Sequence, residues 1–220
     1  MKRGKQRLQN LWVMSLREVY LYGGSGHGKV VKDIAQNANI EVIAFVDDNP
    51  KSTSLLGTQI IKASKVESIS SKEFIISIGS NKIRKTVSEK LPKIGEALID
   101  PTAKISKFAV IGKGTVIMPY AVVNSATSIG DHVILNTGAL VEHDCMIANF
   151  VHISPNATIT GGVSIGEGTH IGAGAIVIPG IKIGQWVTVG AGAVIIKDIP
   201  DYATVVGNPG KIIKKENNNG

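Results

Sequence analysis

The sequence predicts a small α/β unit followed by a parallel β-helix, and three observations carry that reading. Aliphatic residues recur at every sixth position from Ile105 to Ile195. A second column of small or β-branched residues runs four places behind, from Ala109 to Ile199, often with glycine just before it, as at Gly162, Gly168, Gly174, Gly180 and Gly192. Ahead of both columns, short apolar runs alternate with helical spacing. A six-residue unit with a large inward side chain, a small one and a turn residue between them marks a β-helix. Three units close a triangular coil, so the stretch from Ile105 to Pro200 holds about five coils and stands ~25 Å tall at ~4.8 Å per stacked strand.

In chain order, Val19 to Tyr22 is a short β-rich run, GGSGHG follows, and Lys29 to Ala38 carries apolar residues at helical spacing. Glu41 to Val46 reads as a second strand ending at Asp47 and Asp48, Phe74 to Ile78 as a third stopped by Gly79, and Asn81 to Leu91 as a helix. Pro101 marks the join. The expected organisation is a disordered leader over 1–16, an α/β unit over 17–100, a β-helix over 101–211 and a solvated tail over 212–220.

The formal charge of +7 does not indicate nucleic acid, because the basic residues are scattered or terminal and no aromatic platform accompanies them. The apolar patch from Leu11 to Met14 is far too short to span a bilayer, so no stable membrane insertion is expected, and Met14 is a candidate true start. Cys145 is the single cysteine, which rules out an intrachain disulfide and favours a reducing, cytoplasmic setting.

The run Val141-Glu142-His143-Asp144-Cys145 gathers two acids, a histidine and a thiol. The register separates them. Val141 falls in the large inward column and Cys145 in the small one, where a buried thiol is inert. His143 falls in the outward column with Lys107, Lys113, Asp131, Asn149, Glu167 and Gln185. One coil on, the stacked position is Gly161, so the wall beside the imidazole is bare. Asp144, at the adjoining corner, is placed to bond one ring nitrogen and raise the basicity of the other. Such a histidine acts as a general base; an ordinary exposed histidine beside a turn aspartate is the alternative.

His152 and His170 share an outward column one coil apart, so their rings should stack. No carboxylate or third histidine joins them there, and no metal site is expected. His132 and Trp186 fall at corners, with packing roles. Gly23-Gly24-Ser25-Gly26-His27-Gly28 follows a strand and opens a helix, so backbone N–H groups and the helix dipole can receive phosphate. Asp47 and Asp48 end the next strand, where acids hold a ribose or base. The spacing departs from G-x-G-x-x-G, so a nucleotide-sugar fits better than a dinucleotide, and a purely structural glycine turn is the alternative.

Together, YGGSGHG, FVDD, SIGSNKIRK, MPYAVV, VILNTGALVEHD and VVGNPGK resemble the sugar O- and N-acetyltransferases of the left-handed β-helix superfamily, the group that includes the sialic acid, bacillosamine and perosamine acetyltransferases. The similarity runs from about Val19 to Lys211. It implies a left-handed coil, an exception to the right-handed crossover rule, and an acetyl-CoA-dependent acyltransferase working as a homotrimer with active sites between subunits. It further implies that His143 is the base, that Asp144 makes it more basic and that Asn136 lies near the reacting group. Ser25, Gly26, His27, Asp47, Asp48 and Gly79 match positions that contact the nucleotide-linked sugar, and His152, Ala173 and Ala191 match the acetyl-CoA channel. Two departures stand out: Gly210 where the family commonly has alanine, and Asp144 where some members have glutamate. The reaction expected is transfer of acetyl to an amino group of a nucleotide-linked sugar, a 4-amino-4,6-dideoxyhexose, for bacterial surface glycan or glycoprotein biosynthesis. O-acetylation of a free sugar such as sialic acid is the alternative.

Overall fold

The computed structural model describes residues 16–215. The leader, the candidate start at Met14 and the last five residues of the tail lie outside the described residues.

The α/β unit is a five-stranded sheet. Strand β1 (Glu18–Tyr22) leads into helix α1 (Gly26–Asn37), β2 (Glu41–Asp47), a hairpin of β3 (Ser54–Leu55) and β4 (Thr58–Lys62), a 3-10 helix (Ala63–Ile69), β5 (Glu73–Ile76) and helix α2 (Asn81–Ser88). The sheet order is β3-β4-β2-β1-β5, parallel except for the hairpin. Its parallel strands are almost wholly apolar because both faces are covered. Hairpin and 3-10 helix fall where no apolar period is present; their residues are exposed or half-buried, so burial left little pattern to read.

Two-residue strands then wind into a three-sided prism. The first face carries eight strands, beginning at Leu98–Ile99 and running through Ile134–Leu135, His152–Ile153 and His170–Ile171. The second carries six, from Lys104–Ile105 to Val194–Ile195, and the third five, from Val110–Ile111 to Lys182–Ile183. As far as Ile176–Val177 each strand pairs in parallel with the strand 18 residues on, as Ile134 with His152 and Leu140 with Thr158, and in the last coil Thr188 pairs with Thr204, 16 residues on. Both inward columns form one continuous core from Ile117 to Val205, Cys145 included. At every corner from Gly114 to Gly192, the residue before the small inward side chain has φ between 54° and 74°. Glycine holds half of these left-handed corners; Tyr120, Ala126, His132, Asp144, Phe150, Asn156 and Trp186 hold the others, each at a cost of about 1–2 kcal/mol that the ladder bonds on either side offset.

Two boundaries differ from expectation. The prism is entered at Leu98, which pairs with Val116 and turns its side chain into the α/β core, so the join at 100/101 lies inside the first coil. The solvated tail expected from residue 212 is, as far as Lys215, a strand (Lys211–Lys215) paired antiparallel to Ala203–Val206, which caps the open ladder of the first face.

The α/β unit packs on that first face. Val19, Leu21, Val31 and Ile34 share a core with the outward side chains of Leu98, Val116 and Ile134. Helix α2 lies along the corner between third and first faces, with Lys85 paired to Glu167 and Asn81 Nδ2 donating to the Gly168 carbonyl at 2.9 Å.

Candidate active site

His143 sits at the corner between second and third faces, between Leu140–Val141 and Met146–Ile147. Its side chain is 63% exposed, and Nδ1 lies 2.8 Å from Asp144 Oδ2. Asp144 can offer that oxygen because it occupies a left-handed corner, φ 59°, which turns its carboxylate back along the chain. The aspartate holds Nδ1–H, so Nε2 is the nitrogen left to accept a proton. Gly161 was expected to leave open wall here. Instead the ring itself fills that space: a Cβ on Gly161 would lie 2.7 Å from Cε1 and 2.8 Å from Nε2. The glycine seats the imidazole flat against the backbone of the next coil. Cys145, two residues on, is buried with its thiol 3.2 Å from the Thr160 carbonyl, and burial pushes its pKa up. It is core, not nucleophile.

The remaining candidates assemble elsewhere, in the seam between the first face and the α/β unit. His152 and His170 are stacked, with centroids 4.9 Å apart, and His27 comes down from α1 to 6.4 Å from His152. Asn136 Nδ2 lies 3.1 Å from His152 Nε2, and its Oδ1 accepts from Thr137 N–H at 2.8 Å. Burial first, with the charge of Arg84 adding to it, lowers the pKa of His27 to about 4. His152 is pushed to about 3, by burial first and then by His170, Arg84 and His27, and burial followed by Arg84 also lowers His170. Among the described residues His27 Nε2 is buried without a partner. Around this seam, α1 starts at Gly26, and a Cβ on Gly28 would run into the Gly23 carbonyl, so that glycine serves the close packing of helix on strand. The first-turn N–H groups of Gly26 and His27 have no intrahelical acceptor and face out from the helix start.

The two acids after β2 divide their work, which the sequence reading did not foresee. Asp47 Oδ2 accepts from Gly24 N–H and Oδ1 from Asn49 N–H, both at 2.9 Å, so it locks the glycine turn to the end of β2. Asp48 accepts from the Tyr22 hydroxyl through Oδ1 at 2.9 Å, and among the described residues its Oδ2 has no hydrogen-bond partner.

Ala173 and Ala191 lie exposed at the corner between first and second faces, the same edge that carries Asn136. On that edge a Cβ at Gly174 or Gly192 would meet nothing within 4 Å, so it is a smooth, open rail. His132 is buried at the opposite corner of the first face, stacked on Phe150 with centroids 5.1 Å apart. Trp186 packs over Gly168.

A three-sided prism puts the corner of His143 directly across from the first face. Within one chain, therefore, the exposed imidazole and the seam of His27, Gly79 and His152 are on opposite sides of the molecule. Asn136, seven residues before His143 in sequence, belongs by contact to the seam edge.

One buried and three half-buried histidines, all held neutral, make acid stability predictable. His27 and His132 titrate at about 4 and His152 at about 3 in the fold, against ~6.5 unfolded. Their folded values are depressed, so the stability they contribute is whole above ~6.5 and is lost as pH falls towards ~3. The unfolding midpoint, followed by calorimetry, is expected to drop by several degrees between about pH 7 and pH 5.

Fold and site together define a hexapeptide-repeat transferase. The bacterial transferase hexapeptide family (six repeats) matches residues 108–143 and 162–197, and the PglD N-terminal domain family matches residues 18–91. The acetyltransferase domain of PglB from Neisseria gonorrhoeae, solved in complex with acetyl coenzyme A, is 39% identical, with a TM-score of 0.85 over 90% of this chain and 100% of that one. A histidine-to-asparagine mutant of perosamine N-acetyltransferase from Caulobacter crescentus, solved in complex with CoA and GDP-perosamine, is 33% identical, with a TM-score of 0.87 over 90% of this chain and 97% of that one. Among curated proteins, the UDP-N-acetylbacillosamine N-acetyltransferase of Bacillus subtilis (strain 168) is 41% identical over 113 residues, 47% of this chain and 52% of that protein. The chain thus spans about half the length of that curated relative. The chain belongs to the sugar acetyltransferase family of the hexapeptide superfamily, whose β-helix is left-handed. No helix among the described residues is long and apolar enough to cross a membrane.

Proposed function

We propose that this protein transfers acetyl from acetyl-CoA to the amino group of a nucleotide-linked amino sugar, with His143 as general base. The observation that carries the reading is the exposed imidazole on its glycine seat, with Nδ1 engaged by Asp144 and Nε2 free. His143 takes the amine proton as the nitrogen attacks the thioester carbonyl; the tetrahedral intermediate collapses and the CoA thiolate leaves. The open edge of Ala173, Gly174, Ala191 and Gly192 suits a pantetheine arm laid along the prism, with Asn136 at its inner end. The start of α1 suits a diphosphate, and the free oxygen of Asp48 a ribose or base. Support comes from the solved relatives that bind acetyl-CoA or CoA with GDP-perosamine.

Because His143 and the seam lie on opposite sides of one chain, the working site is made between copies. The second face supports this: after Lys104 its outward column continues as Val122, Leu140, Thr158, Ile176 and Val194, a largely apolar strip suited to a homotrimer. With one buried cysteine, the chain suits a cytoplasmic setting.

The test is release of CoA thiol over a panel of UDP-, GDP- and dTDP-linked 4-amino-4,6-dideoxyhexoses, with free sialic acid alongside. Turnover on one nucleotide-linked amino sugar is expected; turnover on sialic acid alone would contradict the reading. On the active substrate, Asp48→Ala is expected to raise KM about tenfold, since it removes a ligand contact. Asp47→Ala is expected to lower stability by about 1–3 kcal/mol, because two backbone N–H groups lose their acceptor. A KM effect confined to Asp47→Ala would reverse these assignments.

A further inference from the structure

Arg84 is the largest fully buried side chain, 0% exposed, yet among the described residues no carboxylate pairs with it. A buried, unpaired cation costs several kcal/mol unless hydrogen bonds replace its water. Here the guanidinium fork supplies them. Nε donates to the His132 carbonyl and Nη2 to the Phe150 carbonyl, both at 2.8 Å, while Nη1 donates to the Ile78 and Gly79 carbonyls at 3.0 and 3.2 Å. One planar group thus ties the turn after β5 to two successive coils of the prism. Burial lowers its pKa only to about 9, so the charge persists at neutral pH.

What the prism side of the tie touches gives it its meaning. Thr137 N–H fixes the Asn136 amide, which leaves Asn136 Nδ2 to donate to His152 Nε2. The carbonyl just before His152, that of Val151, accepts from Arg84 Nη2 at 3.4 Å, beside the Phe150 carbonyl at 2.8 Å. The bonded pair of Asn136 and His152 therefore adjoins the backbone that Arg84 ties to the turn of Ile78 and Gly79.

We propose that Arg84 is a positioning residue for acetyl transfer: by tying the Phe150 and Val151 carbonyls to the turn of Ile78 and Gly79, it holds His152 and Asn136 in register between the α/β unit and the open prism edge. This rests on the transfer reading above. The charged or titratable groups acting on the seam are His170, His27 and Arg84 at His152, and Arg84 at His27 and at His170. Burial is the larger cause at all three rings, so removing the guanidinium charge moves their titrations up only in part.

The experiment compares Arg84→Lys and Arg84→Met with the unmodified protein by steady-state rates across pH and by NMR titration of the histidine Cε1 protons, which needs no substrate. Arg84→Lys keeps the charge and loses the fork: kcat is expected to fall at least about tenfold with both KM values within about threefold, and the seam histidines to titrate as before. Arg84→Met should additionally raise those titrations part of the way, burial holding them below the free value, and move any acid limb of the rate up with them. Folded Arg84→Lys with kcat within about twofold of the unmodified protein overturns the proposal, as does an Arg84→Met whose histidines titrate unchanged. Should Arg84→Met fail to fold, Arg84→Lys decides alone. Absence of turnover by the unmodified protein on every nucleotide-linked amino sugar would instead sink the transfer reading, and the proposal with it, while the NMR titrations still report whether Arg84 acts on the seam.

Discussion

Replacing His143 with asparagine is expected to lower kcat by about 10²- to 10⁴-fold, the usual contribution of a general base, with the fold intact. The side chain is 63% exposed and its one side-chain partner is Asp144, so little packing is lost. Asparagine keeps a polar side chain of similar reach but takes no proton. Thiol release measured alongside the unfolding midpoint separates the two effects. A variant that unfolds normally and turns over at the original rate would remove His143 from the chemistry. Asp144→Asn should cost less, since it leaves the imidazole in place and weakens only the hold on Nδ1–H.

The second large effect comes from a residue with no functional group. Gly161→Ala adds a Cβ 2.7 Å from His143 Cε1, inside any real van der Waals contact, so the ring must swing off the coil and away from Asp144. Gly161 does not have a positive φ, unlike Gly162 at 71°, so the change acts on the ring and not on backbone conformation. A displacement of about 1 Å is enough to cost up to about 10² in kcat. The expected result is a loss of that order with an unfolding midpoint close to the original. Unchanged kcat would mean that the seat of the ring is irrelevant to the reaction.

Both effects were partly legible in the sequence, and the reason is periodicity. A six-residue repeat tells which side chains point in, so the outward turn of His143 and the burial of Cys145 could be read without coordinates, and the neighbouring corner made Asp144 the evident partner. Stacking at 18 residues likewise foretold the His152–His170 pair. What the repeat does not encode is which face carries the α/β unit. His27, Gly79 and His152 meet across a seam set by the outward apolar column of Leu98, Val116 and Ile134, and nothing in hexapeptide spacing separates that face from the other two. The contact of Asn136 with His152, on the residue that the resemblance puts near the reacting group, was for the same reason not readable from spacing.

Arg84 was missed for another reason. In NKIRKTVS it stands among five other charged or polar residues and reads as solvated, while Ile83, the apolar choice, is 54% exposed. Arg84 and Val87, three apart on α2, are the buried pair, and that inverted helix face was the available sign. The division between Asp47 and Asp48 was invisible because it depends on where Tyr22 and the glycine turn lie in space.

The account depends most on one geometric claim, that the base and the seam which meet at a working site come from different copies of the chain. Mixing tests it directly. His143→Ala and His27→Ala are each expected to be nearly inactive; unfolded together in equal amounts, refolded and assayed by thiol release, they should regain about a quarter of the original activity per site, the share of interfaces with an intact imidazole on one side and an intact seam on the other. A refolded mixture no more active than either variant alone would mean that both sides of the site belong to one chain, and would contradict the arrangement.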